Sequence, residues 1–146
     1  MTDLILAVAH HALVFGLVAM MVAERTLVSA SPVDVRRLAG LDAGVGATSA
    51  LVLGVGIARV VWGGKGWLFY QDNPFFWAKL ATFALIGALS LIPTLAFLRW
   101  TRARKADAAF QPPEAERRRV HNALGIMILL IVPLVGFAAA MARWPF

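Results

Sequence analysis

Four nitrogen-bearing side chains stand where chemistry is possible: the adjacent His10 and His11, Arg59 and Lys79, each within a stretch of otherwise apolar residues. Imidazoles ligate metals or move protons, a guanidinium grips anions, and a lysine freed of its proton becomes a nitrogen donor. Ionisable groups inside a membrane span are costly, so each raises the question of a partner. No carboxylate lies at their level, which points to an anionic or metal-bearing ligand. Taken singly, each has a plainer role: Arg59 and Lys79 can snorkel to the surface, and a histidine can bond a carbonyl of a neighbouring helix. Convergence from three helices is what favours a site.

The surrounding composition is that of a membrane protein. The chain has 146 residues, 60% of them hydrophobic and only 15% charged, with a mean hydropathy of +0.75. Apolar residues gather into four blocks of the roughly 20 residues that a helix needs to cross the hydrocarbon core. They lie at about residues 4–23, 43–62, 75–98 and 121–142. We therefore expect one all-α domain over residues 1–146, an integral membrane four-helix bundle. Met1, Thr2 and Asp3 carry no positive charge ahead of the first block, so it reads as a span and not a cleaved signal.

Sidedness follows from lysine and arginine. Of the fourteen such residues, ten fall in the first and third connections: Arg25, Arg36, Arg37, Arg99, Arg102, Arg104, Lys105, Arg117, Arg118 and Arg119. That side is expected to be cytoplasmic, which sets both termini and the Lys65 connection on the periplasmic side. The net charge of +6 is then a matter of topology and anionic lipid, with no nucleic-acid partner.

With that orientation His10 and His11 lie about 10 Å below the outer end of the first span, and Lys79 about 6 Å below that of the third. Arg59 is three residues from the outer end of the second. Trp62, Trp67, Phe69, Tyr70, Phe75, Phe76 and Trp77 crowd the outer connection, as an interfacial belt or as a lid over a site beneath. His121 sits at the inner end of its span, roughly 20 Å of depth away from His11, so the two cannot share a metal. A haem at the outer site would need His10 or His11 together with Lys79, the nearest nitrogen donor. At the inner end, Glu24, Arg25, Asp42, Arg99 and His121 are expected to pair and close the bundle. Glu24 follows His10 by fourteen residues, about 40° around the helix, so both share a face.

Several chemistries find no support. Cysteine is absent, so thiolate sites and disulfides are excluded. The five methionines are scattered, and no phosphate loop, nucleophile elbow or catalytic carboxylate pair is present. Gly44, Gly46, Gly54 and Gly56 suggest close helix packing, and Pro93 and Pro133 suggest kinks in the last two spans.

The run Asn73-Pro74-Phe75-Phe76-Trp77-Ala78-Lys79-Leu80, with the His10-His11 helix ending in Glu24 and the Gly63-Gly64-Lys65-Gly66 connection, resembles a bacterial family of uncharacterised four-helix membrane proteins. More distantly the layout is similar to the haem-binding protoporphyrinogen oxidases of bacterial membranes, and to copper-resistance membrane domains. The oxidase resemblance rests on a first-helix histidine and an aromatic-x-Lys-Leu motif, and it implies a haem b held by His10 or His11 and by Lys79. One turn before that lysine the oxidases have an arginine, where this chain has Phe75; Arg59 is the nearest substitute.

The expectation is thus a haem b protein of the bacterial inner membrane. Its metal ligands come from His10, His11 and Lys79, with Arg59 and Lys65 for the propionates. Its role is electron transfer or oxidation of a porphyrin, with a porphyrin- or quinone-like molecule, the lipid bilayer and a second copy of the chain as partners. The alternative is a non-catalytic transporter subunit or assembly partner, in which the same residues only hold the bundle together.

Overall fold

The computed structural model of the chain describes residues 2–63 and 66–143. Five helices follow in order: α1 (Thr2–Val28), α2 (Val35–Trp62), the short α3 (Gly66–Gln71), α4 (Pro74–Ala106) and α5 (Glu114–Ala142). All but α3 are long and apolar enough to cross a membrane. Each long helix extends past its apolar block, chiefly into the basic connections, because a helix ends where its backbone is capped and not where hydropathy falls. Asp34 caps α2 by accepting from the Arg37 amide at 3.0 Å, and Asn73 caps α4 by accepting from Phe75 at 3.1 Å. Pro93 and Pro133 lie inside continuous helices.

The four long helices form a ring. Along it α1 packs on α2, α2 on α4, α4 on α5, and α5 back on α1. The sequence neighbours α1–α2 and α4–α5 make the longest contacts, while α1 and α4 face each other diagonally. One end of the bundle carries the arginine-rich connections and is called the basic end. The other carries α3 and its aromatic residues and is called the aromatic end.

Packing is uneven along the axis. The buried cluster draws on Leu17 and Met21 of α1, Leu38 and Val45 of α2, Phe97 and Trp100 of α4, and Leu124 and Met127 of α5. On α1 and α5 these residues occupy only the half toward the basic end. Polar ties reinforce that half. Trp100 Nε1 donates to Glu116 at 2.7 Å, and the Val33 amide donates to Gln111 Oε1 at 2.9 Å. Arg117 donates to the carbonyls of Val28 and Ala30 at 3.1 and 2.9 Å, where the exposed carbonyls of a helix C-terminus favour a cation.

The aromatic end closes differently. Asn73, fully buried, caps α4 and also donates from Nδ2 to the Met141 carbonyl on α5 at 3.2 Å. Phe76 gathers Tyr70 and Trp77 with ring centroids 5.3 Å away and Trp67 at 6.3 Å. Trp77 Nε1 donates to the Gln71 carbonyl at 3.0 Å, fastening α3 to the start of α4. The outer connection thus contains a helix with a polar and an aromatic anchor.

Candidate functional site

Where the core thins, toward the aromatic end, a cavity of about 520 Å³ opens inside the ring. That falls within the roughly 300–1,000 Å³ typical of small-molecule sites. Every helix contributes to its wall, with Trp67 and Tyr70 of α3 closing the aromatic end. Leu53, Ile57 and Val61 of α2 belong both to this wall and to the exposed surface, as does Gly87 of α4. The cavity therefore opens sideways between α2 and α4, where a bilayer would lie.

His10, Arg59 and Lys79 all line it. They come from α1, α2 and α4, so the diagonal placement of α1 and α4 makes His10 and Lys79 face each other across the cavity. The charges of Lys79 and Arg59 act on the His10 ring. Two atoms here are buried without a hydrogen-bond partner: Nδ1 of His10 and Nε of Arg59. The ion pairs among the described residues are Arg99–Glu116 and Arg118–Glu114, both at the basic end, so no carboxylate neutralises this cluster. The imidazole rests against α2 beside Gly56, where a Cβ would make an ordinary contact, 3.7 Å from His10 Cε1.

The two histidines separate cleanly. His10 belongs to the cavity; His11, about 100° further around α1, is exposed and its Nδ1 is bonded to the Ala7 carbonyl one turn earlier at 2.6 Å. Lys65 lies outside the described residues. Phe75 does not line the cavity, whereas its neighbour Phe76 does. Met141, on the α5 turn that Asn73 holds, also reaches the wall; scattered spacing along the chain concealed it.

Some glycines thought to serve packing serve space instead. A Cβ on Gly44 would come within 3.0 Å of Met20 Sδ, so this one does set the α1–α2 approach. Gly46 and Gly54 have nothing within 4 Å, and Gly46 lines the cavity.

At the basic end the expected pairing is only partly found. Arg99 meets Glu116 at 3.4 Å, and His121 Nδ1 meets Ser29 Oγ at 3.0 Å. Arg25 lies against Gly125 of α5. Asp42 accepts from Thr94 Oγ1 at 2.8 Å. Glu24 is the exception, buried with Oε1 unpartnered.

The arrangement can bind an amphipathic anion. Apolar walls suit a hydrophobic body, and three nitrogen groups at one end suit carboxylates or a metal. Tested against haem b, the residues fit. The cavity offers an imidazole nitrogen and a guanidinium nitrogen without hydrogen-bond partners and a lysine on the same wall, the donor types that an iron and a propionate would take. No three His, Asp or Glu side chains cluster among the described residues, so a metal held by protein ligands alone has no such set here.

A family model described as "Predicted membrane protein (DUF2214)" matches residues 2–144. No curated protein and no solved structure matches the chain.

Proposed function

This chain belongs to the predicted membrane protein family DUF2214, and from the cavity that its spans enclose we propose that it is a haem b protein of the bacterial inner membrane with a redox role. The observation that carries the reading is the buried, unpartnered Nδ1 of His10 in an apolar cavity shared with two cations that no acid neutralises. Buried polar atoms without a partner are costly, and a cavity that keeps two of them beside a lysine is suited to a ligand that would satisfy them.

Haem b would supply one-electron chemistry at this place. His10 would serve as iron ligand, and Lys79 is the second nitrogen on the cavity wall. Arg59 would take a propionate, in the role of the arginine that the oxidases carry where this chain has Phe75. The apolar wall formed by Val14, Leu53, Leu80 and Phe83 would keep water from a bound macrocycle and so bear on its potential. The excess of arginine at the opposite end supports a periplasmic place for this site. The sideways opening favours a redox partner that travels in lipid, a porphyrin- or quinone-like molecule.

An absorption spectrum tests the reading. Protein purified after expression with ample haem should show a Soret band that His10→Ala removes and His11→Ala leaves. A wild-type protein without the band overturns the proposal. Should His10 and Lys79 substitutions lower stability and change no spectrum, the bundle is a non-catalytic one.

A further inference from the structure

A groove of about 690 Å³ runs between α4 and α5 toward the basic end. No residue lines both this groove and the cavity. Its α5 wall is one helical stripe, because Ala115, Arg118, Arg119, Asn122, Ala123 and Ile126 recur at steps of three and one. The stripe changes character along its length. Arg118 and Arg119 stand in the first two turns of α5 and are exposed, whereas Ala123 and Ile126 form an apolar floor with Leu89 and Ile92 of α4. Ile126 follows Arg119 by seven residues, so the cations lie about 10 Å nearer the end of the bundle.

The fold uses several arginines of this end and leaves these two. Arg117 is taken by the carbonyls of Val28 and Ala30, Arg99 by Glu116 and Arg104 by the Phe110 carbonyl at 2.9 Å. Arg118 meets Glu114, also on the groove wall, at 3.6 Å with side chains 71% and 76% exposed. Such a pair contributes little and leaves most of the guanidinium's donors free. Neither Arg119 nor Asn122 has a side-chain hydrogen bond or ion pair among the described residues. Both α4 and α5 are long and apolar enough to cross a membrane. The floor of the groove therefore lies among acyl chains, and its arginines lie at the headgroup layer.

We propose that this groove holds one anionic phospholipid of the surrounding bilayer, its phosphate on Arg118 and Arg119 and one acyl chain on the floor of Leu89, Ile92, Ala123 and Ile126. Basic pockets between membrane helices recognise anionic headgroups in this way. A guanidinium grips a phosphate through paired N–H donors. Asn122, between the arginines and the floor, offers an amide to the ester oxygens. Glu114 stands at the end away from the floor, so its repulsion favours a phosphate seated nearer Arg119. A lipid in this place ties α4 to α5 from outside the ring. The site is separate from the cavity, and the inference does not rest on haem.

Native mass spectrometry of the full chain, released from phosphatidylcholine nanodiscs with a minor share of phosphatidylglycerol, tests it. The wild type should retain one phosphatidylglycerol per chain in preference to phosphatidylcholine, with or without haem. Arg118→Gln combined with Arg119→Gln should weaken retention about thirtyfold. Ile126→Trp, which fills the floor from a half-exposed position, should weaken it too. Arg36→Gln combined with Arg37→Gln, at exposed arginines of the same end outside the groove, should leave it unchanged. Equal retention of the two lipids overturns the proposal, as does an equal loss in both arginine pairs, which diffuse charge alone would give. Displacement of the lipid by inorganic phosphate overturns it in favour of a free-anion site. A lipid-free dimer that Ile126→Trp disrupts overturns it in favour of a second copy of the chain. If the double variant at Arg118 and Arg119 fails to fold, Arg119→Gln alone decides: undiminished retention overturns the site.

Discussion

A buried guanidinium without a carboxylate is an unusual thing for a helix to keep, and Arg59 is such a group, with its Nε shielded from solvent and unbonded. On stability alone that shielded atom is a cost, which the proposed propionate would offset. Replacing Arg59 tests this directly. In haem-free protein Arg59→Met should raise the melting temperature, by the equivalent of about 1–3 kcal/mol for the relief of an unsatisfied buried group. In haem-loaded protein the same variant should retain less haem on dilution. Thermal denaturation of the two forms measures both, and an equal loss of stability in each would make Arg59 a structural residue. His10 and His11 show how far a residue can be read from its place in the chain. Their depth was legible, since it follows from counting along a helix. Their facing was not, because neighbours 100° apart on a helix apolar all round present no dominant stripe, and Glu24 on the His10 face was only a hint.

The elements carry a different kind of information. Hydropathy marked the four long helices but not α3, whose six residues are too few to leave a periodic pattern. Trp77, bonded to the Gln71 carbonyl, and the rings around Phe76 fasten α3 to α4, and beside them Asn73, a single polar residue, caps α4 and holds the end of α5. Its loss removes a cap and the bond to Met141 together. Asn73→Ala should cost about 1–2 kcal/mol and speed hydrogen exchange in residues 66–78 well before it affects the basic end. Uniform exchange along the chain would contradict that placement. The inner pairing expected of Glu24, Asp42 and the arginines is the element-scale reading that the structure revises. Arg99 meets Glu116 instead and Arg25 lies against Gly125, while Asp42 accepts from Thr94 and Glu24 Oε1 is left without a partner.

For the molecule as a whole, the uneven packing is the decisive property. A dense half at the basic end holds the ring rigid, and the loosely filled half at the aromatic end leaves room for a ligand under α3. Rigid support beneath an open cavity is the arrangement that lets a site keep its geometry with or without an occupant. The direction of the bundle in the membrane is open to a simple measurement, because the chain has no cysteine to obscure a label. A single cysteine in place of Asp72 should react with a membrane-impermeant maleimide in intact cells, and one in place of Asp107 only after permeabilisation. The reverse pattern would place the nitrogen cluster on the cytoplasmic side.

What the sequence determined by itself were the four spans, their expected sidedness and the presence of nitrogen-bearing side chains at similar depth. These are sums over local stretches: about 20 apolar residues suffice to define a span, and charge between spans orients it. The tertiary structure decided the rest: the ring order that sets α1 opposite α4, the choice of His10 over His11 for the cavity, the space beside Gly46, and the isolation of Glu24. Each depends on how helices rotate against one another. In an apolar helix that rotation is set by the fit of neighbouring side chains and backbones, which no single stretch of sequence contains.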